Sequence, residues 1–211
     1  LYRDYYGFGT KYTKKYYQEN RNRTLVLGLD YLNQSDDRKR YKNNFGVQGE
    51  MTFDQIEQFK STGLYMLSQT NYDSGLLVRY GIRYDINNIG IDSSSSIILD
   101  KLNPSVGLSY KVNSNDNIFF SFGTSFETPT LNELSNNPNG EGLNEDLKSS
   151  SSLNYEIGWR KSVSNLTLEA IAYIISSENE ILPYDLEQFP GKNFYQNVGS
   201  TSRYGLELNS Q

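Results

Sequence analysis

The sequence predicts an all-β fold: an up-and-down antiparallel meander of eight or nine strands. It reads as a segment of a transmembrane β-barrel with short turns at one end and long loops at the other. Three observations carry this. Leu76, Val78, Tyr80, Ile82 and Tyr84 alternate with Leu77, Arg79, Gly81, Arg83 and Asp85, a period of 2 that, kept over that length, describes a strand with two different faces. The connections between such runs alternate long and short along the chain, which in a meander gathers every long loop at one end. No apolar run approaches the ~20 residues of a membrane helix, and mean hydropathy is −0.66 despite 18 tyrosines and 10 phenylalanines in 211 residues. Strands that show lipid only every second residue give such an average.

In order, residues 1–23 mix Tyr with Lys and Arg. Their alternation is poor, and the expectation is part of a loop entering a strand near Thr10–Tyr17, then a turn at Glu19–Asn22. From Thr24 the pattern sharpens, with Leu25, Leu27, Leu29 and Tyr31 on one face. Asn33–Gln58 is polar and reads as a long loop, Phe59–Ser68 as a strand, and Thr70–Ser74 as a short turn. The clear run from Leu76 follows, then a medium loop over Asn87–Leu99. Val106, Leu108, Tyr110 and Val112 mark the next strand, and Asn113-Ser114-Asn115-Asp116 a tight turn of residues that tolerate left-handed backbone. Ile118, Phe120, Phe122 and Phe126 share the next apolar face, up to the break at Thr128-Pro129. A long loop, Thr128–Ser150, leads to Leu153, Tyr155, Ile157 and Trp159. A turn at Ser162–Asn165 precedes Leu166, Leu168, Ala170, Ala172 and Ile174, and Asn179–Lys192 is read as a loop before the last strand, Phe194–Asn209. No helical period interrupts the series.

Composition excludes several functions. There is no histidine and no cysteine, which removes the commonest general base, the commonest metal ligand and every Ser-His-Asp or Cys-His arrangement. The carboxylate pairs Glu178/Glu180 and Glu141/Glu145 lie in polar loops, where solvation accounts for them. Asp36-Asp37 lacks the ligand spacing of a calcium loop. The expectation is no enzyme, no catalytic residue, no resident metal and no cofactor. A net charge of −5 argues against a nucleic-acid partner, and the Tyr-Lys mixture near the start fits an interfacial aromatic belt. Leu1-Tyr2-Arg3-Asp4 is not a signal peptide, so an exported barrel would carry that segment upstream.

Periodicity alone leaves the direction of the apolar face open, and a soluble barrel binder would turn it inward. Two features favour lipid. The opposite face carries mid-strand charges beside glycine, namely Arg79, Arg83, Glu156, Arg160, Arg203 and Glu207, which suits a wet lumen with paired ions; Arg79, Arg83, Glu156, Arg160 and Glu207 are read as lumen-facing. Long loops at one end only are also atypical of small soluble barrels.

The phrase FETPTLNEL (126–134), the Leu147-Lys148 pair with its serine run, and YEIGWR (155–160) resemble the barrel of TonB-dependent outer-membrane receptors. TLVLGLDYLN (24–33), LLVRYGIRYD (76–85), LNPSVGLSY (102–110) and FYQNVGSTSRYGLEL (194–208) are similar to further barrel segments in the family's order. One departure is that the family's "NPxLKPE"-like phrase is spread here over Asn137-Pro138 and Asp146-Leu147-Lys148-Ser149. The form FETPT…EL…GLN.DLK is similar to a subgroup that includes receptors for copper and for pyrroloquinoline quinone.

The resemblance implies that residues 1–211 are part of a barrel of about 22 strands with a plugged lumen, the plug and the final strands lying outside this chain. It implies an outer-membrane location, contact with outer-membrane lipid, and coupling to the TonB-ExbB-ExbD complex through an N-terminal part. The substrate would be a ferric siderophore or another metal or cofactor complex. A passive porin or a structural outer-membrane barrel is the alternative, ahead of a soluble β-barrel ligand binder. Phe126, Glu127, Tyr184, Phe189 and Arg203 are the expected ligand-binding residues: rings to cover an apolar ligand face, and a guanidinium for its anionic groups.

Overall fold

The protein is described by a computed structural model covering residues 2–92, 95–140 and 142–211; Glu141 of the second carboxylate pair lies outside them. Nine strands follow one another: β1 (Tyr2–Gln18), β2 (Arg21–Asn44), β3 (Val47–Tyr72), β4 (Leu76–Ile91), β5 (Ser95–Lys111), β6 (Asp116–Glu127), β7 (Ser150–Val163), β8 (Leu166–Asp185) and β9 (Asn193–Ser210). Each is antiparallel to its chain neighbours, so sheet order equals chain order and β1 and β9 form the edges.

The register converts alternation into two surfaces. Gln69, Arg79, Gly107, Ser121, Glu156, Tyr173 and Gly205 make one row across β3 to β9, and Ser68, Tyr80, Val106, Phe122, Tyr155, Ile174 and Tyr204 make the next. Directly paired residues share a face. One face is therefore mainly apolar and aromatic, and the other carries glycines, small polar residues and mid-strand charges with a few rings among them. Among the described residues nothing covers the apolar face: Ile157 and Ile174 are 56% and 53% exposed. All five residues read as lumen-facing lie on the other face, called here the inner one.

The connections differ from the sequence expectation at the loop end. Asn33–Gln58 is not a loop: β2 and β3 run 24 and 26 residues and meet in a turn at Phe45-Gly46, both with positive φ. Beyond the apolar belt both faces meet water, so no alternation marks the strands there. Cross-strand ion pairs hold them instead, Arg38–Glu57 at 2.7 Å and Lys42–Glu50 at 2.7 Å. At ~3.3 Å per residue this hairpin is far taller than the 9–11 residues a tilted membrane strand needs. β4 likewise continues to Ile91, β5 starts at Ser95, and β8 continues to Asp185, each taking part of an expected loop. β1 is strand from Tyr2, not loop. A helix also interrupts the series: α1 (Leu131–Ser135) lies in the β6–β7 connection.

On the inner face, glycines make room for neighbouring side chains. A Cβ on Gly28 would sit 2.1 Å from the Tyr65 ring, on Gly158 2.2 Å from Phe119, and on Gly205 2.5 Å from the Tyr173 hydroxyl. In each case the glycine is the residue directly paired with the aromatic, so the ring lies flat over the neighbouring strand. Gly63 does the same for a charge. It lies between Asp30 and Asp85 in one row, and the Arg83 guanidinium fills the gap, 2.8 Å from each carboxylate.

Gly158→Ala in the full-length protein is expected to displace Phe119 and lower barrel stability by about 1–3 kcal/mol. Gly123→Ala, on the same face with nothing within 4 Å, is expected to be near neutral. Thermal unfolding of the two variants side by side checks this.

Candidate functional site

The β6–β7 connection does not extend into solvent. Thr130 caps α1, its hydroxyl accepting from Glu133 N at 3.3 Å while Thr130 N donates to Glu133 Oε2 at 2.7 Å, a reciprocal capping box. That stops the chain after Pro129 and turns Leu131 and Leu134 toward the sheet. Leu134, Leu143 and Leu147 pack on Ile89 and Ile91 of β4, with Phe59, Ile97 and Leu99 around them. Leu134 and Ile89 are 0% and 2% exposed. The loop is thus anchored on a small buried apolar platform of the inner wall. Asn197 of β9 fixes its far side: Lys148 N donates to Asn197 Oδ1 at 2.7 Å, and Asn197 Nδ2 donates to the carbonyls of Lys148 and Asn179, both at 2.8 Å.

Two hollows flank the anchored loop. The first, ≈ 400 Å³, lies between Thr130–Asn132 and the tops of β2 and β3, lined by Arg3, Asp36, Arg38, Glu57 and Phe59. Arg3 donates to both Asp36 oxygens at 2.6 Å, and Gln34 adds a third bond at 3.0 Å. Asp36 is only 4% exposed and stands above the apolar belt. The hydrogen bond from Arg3 holds its carboxyl below the usual range, against the opposing effect of burial.

The second hollow, ≈ 360 Å³, is lined by Glu127, Glu133, Glu180, Ser177 and Arg203. Glu180 accepts from Thr201 Oγ1 and from Arg203 Nη2, both at 2.8 Å, and these bonds lower its pKa, Thr201 first. Arg203 is therefore engaged by a carboxylate of its own chain.

Of the residues predicted to bind ligand, Glu127 and Arg203 come together in this second hollow. Tyr184 and Phe189 meet elsewhere, their ring centroids 6.0 and 5.5 Å from that of Phe194, which is 1% exposed. Tyr184 also lines a third hollow with Leu147, Lys148 and Asn197. Phe126 pairs with Ser151 and shares the outer face of Phe120 and Phe122. Sequence reasoning missed Leu134, Leu143, Leu147 and Asn197. The Thr130-x-x-Glu133 spacing was the available signal for the helix; nothing local marks Asn197, whose partners are 18 and 49 residues away.

The family model "TonB dependent receptor-like, beta-barrel" matches residues 2–211. The Vitamin B12 transporter BtuB of Vibrio vulnificus (strain CMCP6) is 31% identical over 106 residues, which is 49% of this chain and 15% of the relative. Among solved structures, the unliganded ferric citrate transporter FecA superposes with a TM-score of 0.76 at 17% identity, over 99% of this chain and 32% of that one. The FrpB iron transporter from Neisseria meningitidis gives 0.75 at 16%, over 99% and 34%. The copper transporter OprC gives 0.73 at 14%, over 99% and 35%. At these identities the structural matches establish the fold, and the chain spans about a third of each solved relative.

Two outcomes follow from the anchored loop and its flanking network. Leu134→Ala, by emptying the platform contact, is expected to weaken loop docking by roughly 2–5 kcal/mol; limited proteolysis between residues 128 and 149 should then run faster than in the parent protein. Because the folded-state pKa of Asp36 is depressed, its pairing with Arg3 supports stability at neutral pH and is lost as pH falls through that folded value. The difference in thermal stability between the parent and Asp36→Asn should be present at pH 7 and vanish toward strong acid.

Proposed function

The chain belongs to the TonB-dependent receptor β-barrel family, and from that premise we propose that it is part of an outer-membrane receptor that actively imports a scarce, bulky nutrient. The carrying observation is the two-sided wall: an unpartnered apolar belt outside, and a polar inner face carrying an anchored loop between hollows of several hundred Å³, a size suited to small-molecule recognition. The belt meets outer-membrane lipid, the short turns face the periplasm and the tall hairpins stand outside the cell.

Edges such as those of β1 and β9 are not tolerated in hydrocarbon, which supports further strands of the same barrel on either side. A plug within it and coupling to TonB, with ExbB and ExbD, through a part outside this chain complete the reading. The relatives named for vitamin B12, ferric citrate and copper support a metal or cofactor complex, such as a ferric siderophore, as cargo. Within the chain, Glu127 and Arg203 would line the ligand's path, with Tyr184 and Phe189 supplying rings at the loop end. Phe126, on the outer row, fits the aromatic girdle instead.

Uptake by cells carrying the full-length protein tests the reading. Arg203→Ala at equal surface expression is expected to weaken high-affinity uptake roughly tenfold, the scale of a lost charged hydrogen bond; unchanged uptake would remove Arg203 from the site. Deleting the TonB coupling protein should abolish uptake, and transport that persists without it would mark a passive pore.

A further inference from the structure

On the inner face Arg3, Arg38, Arg83, Arg160 and Arg203 each pair with a carboxylate and Arg79 donates to Gln69. Two guanidiniums on the outer face have no carboxylate partner among the described residues. Arg21 and Arg23 open β2 at the short-turn end, in register with the apolar stripe Leu25, Leu27 and Leu29. With Tyr16, Thr70, Tyr72 and Tyr80 they line a hollow of ≈ 460 Å³. Arg23 donates from Nε to Ser68 Oγ at 3.0 Å and from Nη2 to the Tyr80 hydroxyl at 2.8 Å; Arg21 donates from Nε to Gln18. Among the described residues neither forms an ion pair with a carboxylate.

The contrast lies at the same end of the sheet. Lys161, also on the outer face, has Asp116 at 3.6 Å, and Arg160 on the inner face has Glu169 at 2.6 Å. The Ser68 and Tyr80 bonds use two of the five donors of Arg23 and fix the guanidinium on the sheet, leaving the rest for an acceptor from outside. That acceptor must be anionic, must sit where the apolar belt ends, and must tolerate three phenol rings around it. A phospholipid phosphodiester meets all three conditions: its acyl chains continue along Leu25, Leu27 and Val78 while its headgroup lies at the tyrosine girdle.

We propose that Arg21 and Arg23, framed by Tyr16, Tyr72 and Tyr80, form a binding site for the phosphate of a glycerophospholipid in the periplasmic leaflet. The site rests on the reading of the apolar face as lipid-facing. It belongs to the β1–β2–β3–β4 wall and uses none of the residues assigned to ligand import.

The test is native mass spectrometry of the full-length receptor in a non-ionic detergent, titrated with dioleoyl phosphatidylglycerol. The parent is expected to retain one lipid that Arg21→Gln/Arg23→Gln binds about thirtyfold more weakly, at the scale of two interfacial cations. Arg21→Gln alone, which disturbs only the contact with Gln18, should weaken it about fivefold and serves should the double variant not fold. Lys161→Gln should bind as the parent does, and inorganic phosphate at the same concentration should not displace the lipid. Equal retention by the parent and the Arg21 and Arg23 variants would overturn the site, as would an equal loss in Lys161→Gln. Displacement by inorganic phosphate would assign the guanidiniums to a soluble anion and overturn the lipid. A full-length protein that forms no detergent-stable barrel would instead fail the membrane reading beneath it.

Discussion

Everything in this structure depends on the register of the antiparallel ladder. A slip of one residue would exchange the faces of a whole strand, putting Arg79 and Glu156 among Phe122 and Ile174. The inner face fixes that register through shape as well as polarity. Tyr65 lies over Gly28, Phe119 over Gly158 and Tyr173 over Gly205, so each ring has one neighbouring position that can take it. Arg83 between Asp30 and Asp85 acts likewise, since the guanidinium occupies the space that any side chain at Gly63 would need. A slipped strand would lose hydrogen bonds, bring rings against side chains and separate this charge from both its partners.

The same alternation explains what was legible in the sequence and what was not. Strands bordering the apolar belt announce themselves because their two faces meet different media; Leu76–Asp85 and Leu153–Arg160 are examples, and every strand is present where such a pattern occurs. Above the belt that contrast disappears. Arg38, Lys39 and Glu57 then look like a solvated loop although they are strand residues held by cross-strand pairs. That Arg79, Arg83, Glu156, Arg160 and Glu207 share one face was legible, because strand alternation sets them opposite the apolar positions of their own strands. The packing of the β6–β7 loop was not, since Leu134 finds Ile89 across 45 positions of chain and no local pattern records that meeting. Arg203 illustrates a further limit: its face could be read, but its engagement by Glu180 arises only in the folded sheet.

The inner wall combines two kinds of adhesion. Its charges are only partly withdrawn from water, so pairs such as Arg160–Glu169 contribute modestly and are weakened by salt. The platform beneath the loop is different, since burying Leu134, Leu143 and Leu147 against Ile89 and Ile91 excludes water from apolar surface, at roughly 25 cal/mol per Å² removed. Asn197 adds direction to that adhesion by holding the Lys148 backbone through both its donor and its acceptor.

The apolar platform gives the wall a thermal character of its own. Hydrophobic contact weakens on cooling, and the desolvation penalty of ion pairs grows in the same direction. Cooling therefore lessens the grip of the buried leucines on the isoleucines of β4. The motif FETPTLNEL, met first as a family resemblance, is in this light a temperature-dependent clasp: a capped turn of helix that presses leucine onto isoleucine, and whose grip is set by the entropy of the water it excludes.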